Sequence, residues 1–238
     1  MGQLTRIPCS QLKALVVEHD PLSTPERVGD HLESRGIALD HLVVVADIGD
    51  PEVTAVFPDR GHDLVVLMGA PWSAYEPRVQ GWVRPEIDFV RVQLARGMPV
   101  LGICFGAQIM SASLGGEVVP ASIPEYGWGS IGSDVSTIAD GPWFQYHGDE
   151  FTLPPNASLL AANESGVQAF RHERSLAVQF HPEVTGSLIG SWCAVGGDKK
   201  LIEAGIDPEQ LIEETIGLAE ASQPALERMV DWWLEGLP

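Results

Sequence analysis

Residues 99–108 read Pro-Val-Leu-Gly-Ile-Cys-Phe-Gly-Ala-Gln (PVLGICFGAQ), an apolar β-branched run passing straight into a helical pattern, with Cys104 at the corner between Gly102 and Gly106. The spacing predicts a buried strand over 100–103 and a helix over 105–114 that ends at Gly115-Gly116. A Gly-x-Cys-x-Gly corner has the form of a nucleophile elbow. Its central residue is held in strained dihedrals, and its glycines let neighbouring backbone pass close. Outward from it, Lys13–Glu18, Leu42–Val45 and Leu64–Leu67 read as further strands. Helices are expected from Thr24-Pro25-Glu26 to Gly36, and from near Pro85 (buried face Val83, Ile87, Val90, Leu94) to Gly97. Continuous apolar strands alternating with helices predict an α/β chain built on a mostly parallel sheet covered on both faces.

After Gly116 short strand-like runs alternate with Gly, Pro and Asn turns as far as Glu183, which predicts antiparallel hairpins beside that sheet. Helix returns at the end. Asp207-Pro208-Glu209-Gln210 reads as a capping-box start, and Leu226, Met229, Val230, Trp233 and Leu234 share one helical face. No repeat or linker signal divides the chain. The expectation is a single domain over 1–238, with a catalytic core at about 13–185 and a helical tail over 186–238 packed on it.

Composition narrows the function. The 238 residues carry 33 Asp+Glu against 14 Lys+Arg, a net charge of −19, and 45% are hydrophobic. Such an acidic excess argues against a nucleic-acid or membrane-surface partner. The three cysteines (Cys9, Cys104, Cys193) are too few for a disulfide scaffold and too far apart for a metal finger. No signal-peptide or transmembrane stretch and no Gly-x4-Gly-Lys-Ser/Thr phosphate loop are found. A cytoplasmic enzyme without metal or cofactor is expected.

A cysteine nucleophile needs a base and a group to orient it. Cys104 sits at a helix N-terminus, where the partial positive charge favours the thiolate, and the Phe105 N–H is placed to face a substrate carbonyl. The bland alternative is a structural cysteine in a tight turn. His181 closes the run Leu-Ala-Val-Gln-Phe and has Glu183 two residues on, on the same side if the segment is extended. Its alternative is a surface histidine beside a proline turn. His147, in Tyr146-His147-Gly148-Asp149-Glu150, is the competing base, although a solvated hairpin turn reads better there. His19, His31, His41, His62 and His172 read as surface residues. Met68-Gly69-Ala70-Pro71-Trp72-Ser73 follows the third strand, where a glycine lets the next N–H turn toward a ligand.

Taken together, GICFGAQ, QFHPE, GAPWS, EYGWGSI and FQYHGDEF, in the family's order along the chain, resemble the class I (triad-type) glutamine amidotransferases, especially stand-alone members similar to the amidotransferase part of GMP synthetase. The resemblance implies a flavodoxin-like three-layer sandwich and a Cys104–His181–Glu183 triad. Cys104 would attack the γ-amide of glutamine, and His181 would protonate the departing ammonia and then activate water. Glu183 would fix the imidazole tautomer. The N–H groups of Phe105 and the Gly69-Ala70 loop would bind the oxyanion, while Gln108, Tyr146 and His147 match positions near the bound glutamine. An ammonia-accepting synthetase would lie on another chain.

Two positions depart from the family pattern. Ala70 stands where a second glycine is usual and resists positive φ, and Ala107 stands where His or Met is common and leaves more room. These motivate a second expectation, a γ-glutamyl hydrolase or peptidase acting on other γ-glutamyl amides without ammonia delivery. A third is a non-catalytic regulatory subunit of the same fold, against which the retained triad counts.

Overall fold

The computed structural model describes residues 12–235; Cys9 lies outside them. Seven strands form the main sheet. They are β1 (Lys13–Glu18), β2 (Ala38–Val43), β3 (Leu64–Leu67), β4 (Val100–Ile103), β7 (Ser158–Asn163), β8 (Gly166–His172) and β9 (Ser175–Val178), in the order β2-β1-β3-β4-β9-β8-β7. The first five in that order pair in parallel, and β8 and β7 add an antiparallel hairpin at one edge. β5 (Val118–Gly129) and β6 (Trp143–Phe151) make a separate two-stranded antiparallel sheet. The expected parallel sheet with an antiparallel extension is therefore present, and its parallel part has the flavodoxin-like order.

Helices cover both faces. One core cluster joins Val16, Leu64, Val66, Leu101, Ile103 and Val178 to Val28 and Leu32 of α1 (Glu26–Ser34) and to Leu226, Met229, Val230 and Trp233 of α7 (Pro208–Leu234). The other packs Leu15, Val17, Val65 and Leu67 against Trp82, Val83 and Val90 of α2 (Gln80–Ala95) and Phe105, Ala107 and Ile109 of α3 (Phe105–Ser113). Strands buried on both faces explain why they read as unbroken apolar runs.

Several boundaries differ from the sequence expectation. β2 begins at Ala38 rather than Leu42, because register is set by pairing with β1 from Lys13↔Ala38, and this edge strand is half-exposed with no apolar run to mark it. α2 starts at Gln80, following a short 3-10 turn at Pro77–Val79, and carries Pro85 inside it at the cost of one ladder bond. Asp207 does cap α7, accepting from the Glu209 and Gln210 N–H groups, but the Gln210 side chain reaches forward to Glu214, so the reciprocal half of a capping box is missing. The YHGDE segment is not a turn. It lies wholly within β6, whose pairing with β5 overrides the local Gly and Asp signals.

Between β4 and α3 the chain turns so sharply that only glycine fits at 106. A Cβ there would lie 2.2 Å from the Leu67 carbonyl oxygen of the neighbouring strand. The corner is thereby pressed onto β3, with Gly106 N–H donating to the Met68 carbonyl at 3.0 Å.

Candidate active site

The site forms at the carboxyl ends of β3, β4 and β9, where open α/β sheets gather their ligands. Cys104 takes φ 51°, ψ −106°, a left-handed conformation disfavoured for a residue with a Cβ. Its carbonyl accepts the first α3 bonds, from Ala107 (3.0 Å) and Gln108 (3.1 Å), so the sulfur sits at the helix N-terminus as a nucleophile elbow requires. Its own N–H donates to the Val178 carbonyl (2.8 Å), fastening the corner to β9.

β9 delivers His181. The strand stops at Val178, and His181 is held instead by its N–H to the Phe144 carbonyl on β6 (2.8 Å), a single bridge after which Pro182-Glu183 turns. The segment is thus not extended, yet the turn returns the carboxylate to the ring, with His181 Nδ1 to Glu183 Oε1 at 2.8 Å. Arg27 on α1 shapes this turn. Its guanidinium donates to the Pro182 and Val184 carbonyls (3.4 Å each), on either side of Glu183.

Cys104, His181 and Glu183 are 5%, 4% and 2% exposed. Burial by itself lowers the basicity of His181, but Glu183 and then the Cys104 sulfur outweigh it and push the imidazole up to about 10. Among the described residues, His181 Nε2 and Glu183 Oε2 have no hydrogen-bond partner. Buried polar atoms are nearly always paired, and the exceptions gather where chemistry occurs. Trp192, on α5 (Gly186–Trp192), covers the ring at 5.2 Å between centroids and is itself tied down by its indole N–H to the Leu22 carbonyl (3.0 Å).

The loop at Gly69-Ala70 borders the same space. A Cβ on Gly69 would lie 3.1 Å from His181 Cε1 and 4.0 Å from Cys104 Cβ, so glycine is required for room beside the imidazole and not for its φ. Ala70 has an ordinary negative φ, which removes the expected conflict between alanine and the loop. Among the described residues, the Ala70 and Phe105 N–H groups have no acceptor, which leaves two donors free at the elbow.

Of the other expected residues, Gln108 approaches the sulfur only through Gln179. Its amide donates to Gln179 Oε1 (3.5 Å), and Gln179 Nε2 in turn donates to Cys104 Sγ (3.5 Å). Gln179 carries no local signal beyond its place in QFHPE. Tyr146 packs its ring at 5.5 Å on Trp192, the same indole that covers His181, and its hydroxyl donates to the Gly197 carbonyl. Burial pushes its phenol up. His147 is buried, with Nε2 at 3.1 Å from Glu125 and Nδ1 at 3.0 Å from the Asp149 carbonyl, so it is neither a solvated turn residue nor hydrogen-bonded to the triad. Ala107 faces the core cluster and opens no space toward a substrate.

The surface assignment also fails for His19 and His31, which are buried, whereas His41, His62 and His172 keep solvent contact. His19 is fully enclosed. Its Nδ1 lies 2.9 Å from the Gly69 carbonyl, and its Nε2 lies 2.9 and 3.1 Å from the two Glu86 oxygens. Burial disfavours the charged imidazole, but Glu86 outweighs it, and His19 is raised above its ordinary value.

Comparison with known proteins gives this arrangement a family. The family model for glutamine amidotransferase class-I matches residues 28–192. The chain belongs to the class I glutamine amidotransferases. A GMP synthase (glutamine-hydrolysing) from Thermomicrobium roseum is 35% identical over 142 residues, 53% of this chain and 24% of that protein. The chain thus spans about a quarter of the length of the curated relatives it matches. A glutamine amidotransferase structure from Thermotoga maritima superposes with TM-score 0.80 at 24% identity, covering 94% of this chain and 98% of that one, a likeness of fold. A second, from Methylobacillus flagellatus, gives TM-score 0.78 at 20% identity over 95% of each chain, again a likeness of fold. Among the described residues, no cluster of three or more His, Cys, Asp and Glu side chains is placed to hold a metal ion. No described helix is long and apolar enough to cross a membrane.

Proposed function

We propose that this chain hydrolyses the γ-amide of glutamine through Cys104, His181 and Glu183 and passes the ammonia to an acceptor enzyme on another chain. The observation that carries the reading is the strained Cys104 elbow with a carboxylate-backed imidazole and two unpaired N–H groups beside it. In this mechanism the thiolate attacks the amide carbon, and the developing oxyanion is received by the Ala70 and Phe105 N–H groups. The His181 imidazolium gives its Nε2 proton to the leaving nitrogen as the C–N bond breaks. Neutral His181 then takes a proton from water, whose oxygen attacks the γ-glutamyl thioester, and the C–S bond breaks to return the thiolate and release glutamate. Gln179, donating toward the sulfur, supports its anionic form.

The curated relatives are described as glutamine-hydrolysing GMP synthases, which supports glutamine as the amide that is cleaved. Purified protein given glutamine should release glutamate, and a glutamine-analogue electrophile should add one equivalent to Cys104 by intact mass. Turnover of a γ-glutamyl dipeptide should be much slower than that of glutamine. A dipeptide preferred over glutamine would favour the γ-glutamyl peptidase reading, from which buried Ala107 withdraws its motive.

The raised His181 value sets a pH dependence. A proton donor held to about pH 10 keeps kcat up on the alkaline side. Glu183→Gln removes the carboxylate that raises it, so the alkaline limb should move to lower pH and kcat should fall by about 10²–10⁴. Because the folded value lies above the free value of 6.5, the pair also stabilises the fold fully below that pH, and this contribution is lost as pH rises through about 10. An unmoved limb in the variant would show that Glu183 does not set it.

A further inference from the structure

Behind the Gly69-Ala70 loop lies a buried ion pair that the triad does not use. His19 follows the last residue of β1, and Glu86 comes from α2, 67 residues away; both side chains are completely enclosed. Burying two charges is expensive, and an apolar pair would fill this volume at less cost. What the pair holds is a peptide. A carbonyl cannot donate, so Nδ1 carries a proton and donates it to the Gly69 oxygen at 2.9 Å, while the Glu86 carboxylate accepts from Nε2. In a trans peptide the carbonyl of one residue and the N–H of the next point in opposite directions, and no described peptide is cis. With the Gly69 oxygen drawn into the core, the Ala70 N–H faces away from it, on the side where Gly69 abuts His181 and Cys104. The imidazole also meets the other donor's residue, its ring lying edge-on to Phe105 at 4.7 Å, with Trp82 packed on both rings at 5.5 and 5.6 Å.

We propose that His19, locked by Glu86, is the positioning residue of the oxyanion hole, fixing the Gly69–Ala70 peptide so that the Ala70 N–H points at the substrate's amide oxygen. This rests on the glutaminase reading and adds to it a part contributed by α2 and β1. Without the pin the peptide is free to turn over, presenting a carbonyl where the oxyanion needs a donor.

The test replaces the pair by apolar side chains, His19→Phe with Glu86→Leu, which leaves no buried carboxylate unpaired and so spares the fold. Three quantities are read: kcat and KM for glutamine, and the rate at which iodoacetamide alkylates Cys104. Alkylation displaces iodide at a saturated carbon and builds no oxyanion, so it reports the thiolate alone. The double variant should lose about 10²–10³ in kcat, the worth of one oxyanion donor, with KM and alkylation little changed. Glu86→Gln, which keeps a partner on Nε2 and leaves Nδ1–H on the Gly69 carbonyl, should recover the larger part of that loss. A double variant as fast as wild type overturns the inference, as does a fall in alkylation parallel to kcat or a Glu86→Gln variant as slow as the double one. A wild-type protein that neither hydrolyses glutamine nor is acylated by its analogue overturns the glutaminase reading, and the inference with it.

Discussion

Cys104→Ala is expected to end glutamine hydrolysis, with kcat falling by at least about 10⁴-fold, because in the proposed mechanism every later step passes through the thioester on Cys104. Cys104→Gly should be equally inactive and yet more stable than the alanine variant. Both lose the thiol, so the comparison isolates the backbone. Alanine keeps a Cβ at φ 51°, ψ −106°, a conformation that costs about 1–3 kcal/mol. Glycine removes that strain and costs about 0.4–1 kcal/mol through its greater freedom in the unfolded chain. Strain outweighs that entropy, so the glycine variant should gain roughly 1 kcal/mol and melt about 2–4 °C higher for a chain of this size. Thermal unfolding of the two purified variants decides it, and a glycine variant that melts at or below the alanine one would show the elbow to be unstrained. The strain is then the stability that the site gives up to aim a sulfur out of a tight turn.

The parts legible in the sequence are those written in adjacent residues. Gly102-x-Cys104-x-Gly106 announces a corner because close backbone approach excludes a Cβ at Gly106, and a corner between a strand and a helix has one place in a parallel sheet. His181 and Glu183 are readable together because they sit two apart, even though the turn that joins them is not the extended segment expected. The supporting groups are not readable. His19 looks like a polar residue after a strand until Glu86 is brought to it from α2, and nothing within a few residues of either encodes that meeting. Arg27 reaches the carbonyls beside Glu183 across 155 residues or more, and Gln179 is ordinary until the elbow folds against β9. His147 misleads in the opposite sense, since its flanking Gly and Asp suggest a turn where cross-strand pairing with β5 makes a strand. The two departures from the family pattern concern local conformation and direction, and both are harmless for that reason. Ala70 never needs positive φ, and Ala107 points into the core.

Deleting residues 208–238 should cost the fold and the activity together. The sequence reads α7 as a tail packed on the core, and its buried face belongs to the same cluster as the central strands. Leu226, Met229, Val230 and Trp233 are each 3% exposed or less. At about 1.5–3 kcal/mol for each buried side chain they contribute roughly 6–12 kcal/mol, comparable with the entire stability of about 5–15 kcal/mol usual for a domain. The loss also reaches the site. Arg27 holds the Pro182 and Val184 carbonyls with one nitrogen while its other nitrogens are held by Gln223 Oε1 (2.9 Å) and Ser222 Oγ (3.2 Å) of α7, so the helix braces the turn that carries Glu183. Removing α7 strips away both its anchors and part of the cover that keeps it buried. Trp233→Ala tests the packing alone and should lower unfolding free energy by about 3–5 kcal/mol in a denaturant titration. Arg27→Met tests the brace alone. It leaves the two carbonyls without their donor, and kcat should fall while the apolar cluster stays intact. A truncated chain that still unfolds cooperatively and hydrolyses glutamine at the full-length rate would make α7 an ornament, and the catalytic unit would then end before it.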